Sequence, residues 1–221
     1  MLPEEIFTSY TVVRGGRMEI EMKERIRHFL LFIILAAVDQ GVKLWVRSTL
    51  MNNGPLILIP DVFVLQYHEN TGAVWGIMSG KTQFLSIFTF IILLFIIFLY
   101  LKIPQEKKYH PLRLITVFIL AGAVGNLIDR VFLGYVVDFI YFELINFPLF
   151  NIADSYLTVS CIVLFLLAVF YYKDDDFAFL DRLFGSKKKG TASADTSSVE
   201  EADASQMEDG TDDSDRDESE E

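Results

Sequence analysis

The chain has 221 residues, of which 52% are hydrophobic, and it carries a formal net charge of −11 with a mean hydropathy of +0.37. Long uncharged runs exclude an ordinary soluble domain, and the acidic balance without a basic stripe argues against nucleic-acid binding. The single cysteine, Cys161, excludes an internal disulfide framework and a zinc site built from cysteines.

Four apolar segments predict membrane-spanning helices, since a span needs ~20 mostly apolar residues. They run from about Phe29 to Trp45, from Phe84 to Leu101, from about Leu112 to Ile128, and from Ala153 to Tyr172. Polar residues interrupt the first and third segments, which a span tolerates when those residues face the protein interior. Lys and Arg concentrate before the first span, between the second and third, and after the fourth, so both termini are predicted in the cytoplasm.

The two outward-facing connections carry further predicted structure. Leu56 to Pro60 and Val62 to Tyr67 are rich in β-branched and aromatic residues and predict a strand pair at the membrane surface. Between the third and fourth spans, the apolar stretch from Phe139 to Phe150 predicts a short helix lying in the interface. The predicted fold is an α-helical membrane protein with four transmembrane helices, a small extracytoplasmic β-sheet and an interfacial helix.

The net charge belongs to the C-terminal segment. Residues 173–221 hold 6 Lys and Arg against 17 Asp and Glu, which accounts for the whole −11. From about Gly190 this segment is polar and has no aromatic residue, so we expect it to be disordered. We divide the chain into an N-terminal cytoplasmic extension at 1–25, a four-span domain at 26–172, and an acidic disordered cytoplasmic tail at 173–221.

Polar residues also gather at the predicted outer ends of the spans, where ionisable groups are expected to be satisfied partners or functional. A structural explanation exists for several of them. Asp39 and Lys43 have the i, i+4 spacing of an ion pair on one helix face. The segment Asn70-Thr71-Gly72-Ala73 fits a turn, and Asn151 or Asp154 fits a helix cap.

Two other acids at these outer ends remain. Asp129 and Arg130 fit an exposed interfacial pair. Asp138 is harder to explain, because it lies within an apolar run where a carboxylate needs partners or a raised pKa.

Histidine chemistry is disfavoured by the predicted topology. His28 and His110 fall on the cytoplasmic side and His68 outside, so we expect neither a histidine metal site nor a Ser-His-Asp triad. A Ser–Lys pair of Ser155 and Lys43 is conceivable, although Lys43 has a nearer acidic partner. The remaining chemistry is a pair of aspartates that share one proton and activate water. Composition leaves three candidates for that pair: Asp129, Asp138 and Asp154.

Five motifs, in order, resemble those of the signal peptidase II family, the lipoprotein signal peptidases of bacteria. They are Asp39-Gln40-Gly41-Val42-Lys43, Asn70-Thr71-Gly72-Ala73, Gly122-Ala123-Val124-Gly125-Asn126-Leu127-Ile128-Asp129-Arg130, Gly134-Tyr135-Val136-Val137-Asp138-Phe139 and Phe147-Pro148-Leu149-Phe150-Asn151-Ile152-Ala153-Asp154-Ser155. The resemblance covers the chain from about Ile26 to Tyr172. It departs from the family at Trp75, where Phe is usual, and it leaves out the N-terminal extension and the acidic tail.

The resemblance implies that Asp138 and Asp154 are the catalytic pair. It implies that seven other residues bind substrate or shape the site: Asp39, Lys43, Asn70, Asn126, Asp129, Arg130 and Asn151. The implied enzyme is an aspartic endopeptidase of the bacterial inner membrane, with its site near the periplasmic face. It would cleave diacylglyceryl-modified prolipoproteins on the N-terminal side of the lipidated cysteine.

The expected partners are these prolipoproteins and membrane lipids, with no metal, organic cofactor or nucleic acid, and we expect a monomer. A proton-coupled transporter that uses the same intramembrane acids is the competing hypothesis. Four spans with no internal repeat disfavour it.

Overall fold

A computed structural model describes residues 4–72 and 80–185, with side chains from Met18 onward except those of Arg182 and Phe184. Trp75 and the acidic tail from Ser186 lie outside the described residues. Four helices are long and apolar enough to cross a membrane, which confirms the four predicted spans. They are α1 (Glu4–Asn53), α2 (Thr82–Lys102), α3 (His110–Phe132) and α4 (Ile152–Phe170). The extension predicted at 1–25 is helical from Glu4 and continuous with the first span.

Helix α3 is the centre of the bundle. Half of its most apolar window is buried, against 6–17% for the other three helices, and α1, α2 and α4 all contact it. Helix α2 shows the opposite behaviour, because Leu93 is its one buried residue and most of its large apolar side chains are exposed. An exposed apolar surface of this kind suits contact with lipid. The polar residues of the spans therefore cluster around α3.

A three-stranded antiparallel sheet, in the order β1-β2-β3, lies at one end of the bundle. Its strands are β1 (Leu56–Ile59), β2 (Phe63–Asn70) and β3 (Val136–Phe142), so the predicted strand pair is confirmed. Val137 and Phe139 of β3 pack against Val46 and Leu50 at the end of α1. This buried cluster fixes the sheet to the helices. Because Asp138 lies between Val137 and Phe139 in β3, the cluster also fixes the position of Asp138 relative to α1.

The prediction of a helix across Phe139 to Phe150 is wrong for most of that stretch. Its first part belongs to β3, and only the single 3-10 turn Glu143–Ile145 is helical. The edge of β2 explains the difference, because unpaired strand N–H and C=O groups need a partner and this run has the residues that favour strands. Ile140 also forms a bridge with Phe150, which folds the chain back along β3.

The segment after α4 is also more ordered than predicted. Asp174–Phe177 forms a 3-10 helix and Ala178–Phe184 forms α5, so the structured part of the chain extends past the predicted boundary at 173. Aromatic packing explains this difference: Tyr109 stacks on Tyr172 at 5.9 Å, and Phe177 and Phe179 pack against the same pair.

Candidate active site

Asp138 is held by two side-chain amides. Its strand, β3, pairs with β2 so that Asp138 lies opposite His68 and near Asn70. Asn70 Nδ2 donates to Asp138 Oδ2 at 2.9 Å, and Asn151 Nδ2 donates to Asp138 Oδ1 at 2.8 Å. The residue is only 2% exposed. Among the described residues, each carboxylate oxygen therefore has one fixed side-chain donor and a second lone pair without one.

Asp154 lies in the first turn of α4, where it forms a capping box with Asn151. Asn151 N donates to Asp154 Oδ2 at 3.1 Å, and Asp154 N donates to Asn151 Oδ1 at 2.9 Å. The other oxygen of Asp154 accepts a hydrogen bond from Asn126 Nδ2 at 2.7 Å. The helix-cap explanation of Asn151 and Asp154 is thus correct, but the cap also aims one carboxylate oxygen at α3.

Asn151 connects the two acids. Its backbone N–H and side-chain oxygen bond to Asp154, while its Nδ2 donates both to Asp138 and, at 3.1 Å, to Asn126 Oδ1. Asn151 is fully buried. A change in the orientation of this one amide would therefore disturb both carboxylates.

A buried charged cluster lies beneath the pair. Lys43 Nζ is 2.9 Å from Asp39 Oδ2, 3.1 Å from Asp129 Oδ2 and 3.0 Å from Asn126 Oδ1. The i, i+4 ion pair predicted for Asp39 and Lys43 is therefore present. Lys43 also fixes the amide of Asn126, because a cation at Oδ1 leaves Nδ2 to point at Asp154.

The two acids of this cluster also bind the backbone of neighbouring elements. Asp39 Oδ1 accepts from Ala153 N of α4 at 2.9 Å, and Asp129 Oδ2 accepts from Val137 N of β3 at 3.0 Å. Ala153 and Val137 each precede one of the two aspartates, Asp154 and Asp138. Asp129 is 2% exposed, so the prediction that Asp129 and Arg130 form an exposed interfacial pair is wrong.

Sequence analysis missed two contributors to this cluster. Gln40 Nε2 lies within hydrogen-bond distance of Gly125 O, Asp129 Oδ1 and Asp39 Oδ2, at 3.0, 3.1 and 3.2 Å. Gly125 leaves the space for Asp39, because a Cβ there would lie 2.5 Å from Asp39 Oδ2. The small residues at helical spacing in α3, Gly122 and Gly125, are a signal of close helix approach that could have found the second of these.

Both acids line an open groove of about 1210 Å³. One wall is the apolar segment from Phe147 to Phe150, and α2 and α4 contribute Thr89, Leu157 and Val159. Arg130 also lines the groove, and its buried Nε has no hydrogen-bond partner in the part of the chain that the structure describes. The groove thus offers apolar walls, the carboxylates of Glu69, Asp138 and Asp154, and the guanidinium of Arg130.

Burial, followed by the charge of Asp154, raises the pKa of Asp138 to about 7, against the lowering effect of its two amide donors and Lys43. At neutral pH this pair of carboxylates therefore retains a proton on Asp138 about half of the time. Two neighbouring acids that share one proton can act as a general acid and a general base in the same site.

The Ser–Lys alternative has no support in these contacts. Ser155 Oγ donates to Asn151 O at 3.0 Å, and Lys43 is occupied by its partners on α1 and α3. The expectation that the histidines stay apart is wrong for two of them, because the His28 and His110 rings lie 5.6 Å apart at the other end of the bundle. The structure brings together all nine predicted site residues.

The fold and site define a multi-pass membrane protein. Two of its aspartates, Asp138 and Asp154, are held by asparagine side chains at one end of the helices. Residues 31–170 match the family model for signal peptidase (SPase) II. A lipoprotein signal peptidase from Streptococcus thermophilus is 40% identical over 135 residues, 61% of this chain and 87% of the relative. One from Enterococcus faecalis is 37% identical over 142 residues, 64% and 87% of the two chains. A solved bacterial membrane enzyme is 33% identical with a TM-score of 0.58, covering 74% of this chain and 93% of that one.

The chain belongs to the signal peptidase II family, since the family model matches more than half of it. It is a multi-pass bacterial membrane peptidase of the class that removes signal peptides from prolipoproteins. The resemblance inferred from the five motifs is therefore confirmed.

Proposed function

We propose that Asp138 and Asp154 are the catalytic pair and that water is their nucleophile. The observation that carries this proposal is the fully buried Asn151, which bonds to both carboxylates and holds them at the edge of one groove. A pair of acids held by amide donors keeps fixed lone pairs available for proton transfer.

The roles within the pair follow from the raised pKa of Asp138. Near neutral pH, protonated Asp138 donates to the carbonyl oxygen of the scissile bond, and the Asp154 carboxylate takes a proton from water. The hydroxide so formed bonds to the carbonyl carbon. As the tetrahedral intermediate collapses, one of its hydroxyl groups returns a proton to the Asp138 carboxylate and the C–N bond breaks. The leaving nitrogen receives the proton from Asp154, so both acids regain their starting states.

The groove suits the substrate that we propose, a prolipoprotein whose cysteine already carries diacylglycerol. Its acyl chains would remain in the membrane beside the apolar surface of α2 and α4, and the peptide would extend past the Phe147–Phe150 wall. We propose that cleavage occurs on the N-terminal side of that cysteine. Arg130 lines the groove, and its Nε has no hydrogen-bond partner among the described residues, so it is our candidate for binding a peptide carbonyl next to the cut.

The remaining residues are proposed to orient the pair. Asn70 and Asn126 each donate to one acid, and the cluster of Asp39, Lys43 and Asp129 fixes Asn126 and the backbone before each aspartate. We further propose that both termini are cytoplasmic and that the pair lies near the outer face. The flanks richest in Lys and Arg support this orientation, and activity reporters fused at either terminus would test it.

Cleavage by the purified chain tests this function. The chain, in detergent, should convert a lipidated precursor peptide into a free signal peptide and a product that begins with the lipidated cysteine, as read by mass spectrometry. A product cut elsewhere would contradict the proposed position. Absence of cleavage by well-folded protein would favour the transporter hypothesis. Ser155→Ala should retain cleavage, and its complete loss would revive the Ser–Lys mechanism.

A further inference from the structure

A second cluster of ionisable side chains lies at the opposite end of the bundle from Asp138 and Asp154. Glu24 and His28 are one turn apart on α1, and His110 begins α3. One ligand atom from each lies within 4.8 Å of the other two. His28 is separated from Lys43 by about 22 Å along α1, at 1.5 Å per residue, so the proposed hydrolysis does not use this cluster.

Two residues of this cluster, His28 and Glu24, have outer hydrogen-bond partners of the kind that orient metal ligands. His28 Nδ1 lies 2.9 Å from Tyr100 Oη, and a ring N–H donated there leaves Nε2 with a free lone pair. Arg113 Nη2 contacts both oxygens of Glu24 at 3.0 Å and fixes the plane of the carboxylate. Such outer partners set the tautomer and direction of metal-binding side chains.

We propose that Glu24, His28 and His110 form a binding site for a divalent transition metal, of which Zn²⁺ fits best. Two imidazoles and one carboxylate are a common zinc ligand set, and water can complete a tetrahedron. Three ligand atoms within 4.8 Å need only a small inward shift to reach zinc distances of about 2.0–2.2 Å. His110 is half exposed and can make that shift.

The competing arrangement is a hydrogen-bonded cluster without metal. His110 Nδ1 lies 2.7 Å from Glu24 Oε1, and this contact has to open for the metal to bind. Arg113 is 1% exposed and adds a fixed positive charge, which lowers the affinity for a cation. Glu24 can nevertheless keep Oε2 on Arg113 and present Oε1 to the metal. The metal would join α1, the first span, to α3 at the centre of the bundle.

The test is titration of the purified full-length chain, carrying an affinity tag without histidine, with Zn²⁺ by calorimetry and with Co²⁺ by visible absorption. We expect one Zn²⁺ per chain at this site, a Co²⁺ spectrum of low coordination number, and a higher Tm with Zn²⁺. His110→Asn should weaken Zn²⁺ binding at least about tenfold and remove the Tm increase. His68→Asn, a histidine at the other end, is the matched control and should bind as the unaltered chain does.

The result that overturns the site is Zn²⁺ binding and a Tm response that are the same in the unaltered chain and in His110→Asn. Metal held only by the acidic tail gives that result, because both proteins keep the tail. No saturable binding by the unaltered chain also overturns it. His28→Asn is a second variant, but His110→Asn decides the question, because a half-exposed side chain can be replaced without unfolding the bundle.

Discussion

The proposed sharing of one proton between Asp138 and Asp154 links the site geometry to its chemistry. Asp138 is 2% exposed, and burial together with the neighbouring carboxylate raises its pKa to about 7. Below that pH Asp138 is protonated and can donate to the substrate carbonyl. Above it Asp138 is ionised, and the pair has no proton to donate.

Cleavage should therefore lose its acid as the pH rises. We expect kcat/KM to fall about tenfold per pH unit above about pH 7, because Asp138 deprotonates there. The measurement is the pH profile of cleavage by purified protein with a neutral lipopeptide, with Tm followed at each pH to exclude unfolding. A flat profile from pH 6 to 9 would show that Asp138 is not the proton donor.

Lys43 balances two buried carboxylates, and its removal should be severe. Lys43→Met leaves Asp39 and Asp129 without their cation, and breaking a buried pair of this kind destabilises a protein by about 3–5 kcal/mol. Thermal denaturation in detergent should show a large fall in Tm. Lys81→Met, at an exposed lysine before α2, should leave Tm nearly unchanged. Equal Tm values for the two variants would mean that the cluster contributes little.

At the scale of elements, two glycines of α3 determine how closely the helices meet. A Cβ on Gly122 would lie 2.6 Å from Ala153 O of α4, and a Cβ on Gly125 would lie 2.5 Å from Asp39 Oδ2 of α1. Neither neighbour can withdraw easily, since one is backbone and the other is held by Lys43 and Ala153 N. These contacts bring the N-terminus of α4 and its Asp154 against Asn126.

Gly125→Ala should accordingly reduce both stability and cleavage. The added methyl displaces Asp39, and overpacking of this kind costs about 1–3 kcal/mol. Gly41→Ala, on α1, is the matched control. A Cβ at Gly41 meets nothing within 4 Å, and alanine there should raise helix stability by about 0.5–1 kcal/mol. Comparison of Tm and cleavage rate in the two variants checks the prediction, which fails if Gly125→Ala is the better tolerated.

The secondary-structure elements differ in how well the sequence predicts them. The four spans were predicted because uncharged apolar runs of sufficient length have one main explanation in a membrane. Strand β3 was not, because Val136 to Phe142 is apolar enough for an interfacial helix and its pairing partner, β2, lies more than 60 residues earlier in the chain. Pairing between strands so far apart in the chain is a tertiary contact, and the local sequence pattern does not predict it.

The site shows the same distinction. Motif resemblance named nine candidate site residues, which the structure brings together, and the i, i+4 spacing predicted the Asp39–Lys43 pair. The spacing could not predict that Lys43 also contacts Asp129 and Asn126, or that Gln40 joins them, because those contacts depend on how α1 meets α3. The convergence of His28 and His110 was missed for the same reason.

For the whole molecule, the end of the bundle that carries α5 closes on an aromatic cluster. Tyr109 and Tyr172 stack, Phe177 and Phe179 cover them, and Lys108 Nζ lies 2.5 Å from Asp176 Oδ1. Among the residues that the structure describes, the helical chain therefore extends to Phe184 and does not stop at the end of α4.

Two truncations test this boundary. A chain ending after Lys189 should cleave at near the normal rate, because the acidic segment removed has no aromatic residue and few apolar ones to pack. A chain ending after Lys173 loses Phe177 and Phe179 and should be less stable by about 1–3 kcal/mol, with a lower Tm in detergent. A large loss of activity in a well-expressed chain ending after Lys189 would contradict this division.

The central claim is that Asp138 and Asp154 together activate water. The most direct measurement is the cleavage rate of purified Asp138→Asn and Asp154→Asn on a diacylglyceryl precursor, with Asp61→Asn, at an exposed turn of the sheet, as the matched control. We predict that each of the first two loses at least about 10²-fold in kcat and accumulates uncleaved, lipid-modified precursor in membranes, while Asp61→Asn stays near normal. Normal processing by either Asp138→Asn or Asp154→Asn would contradict the claim.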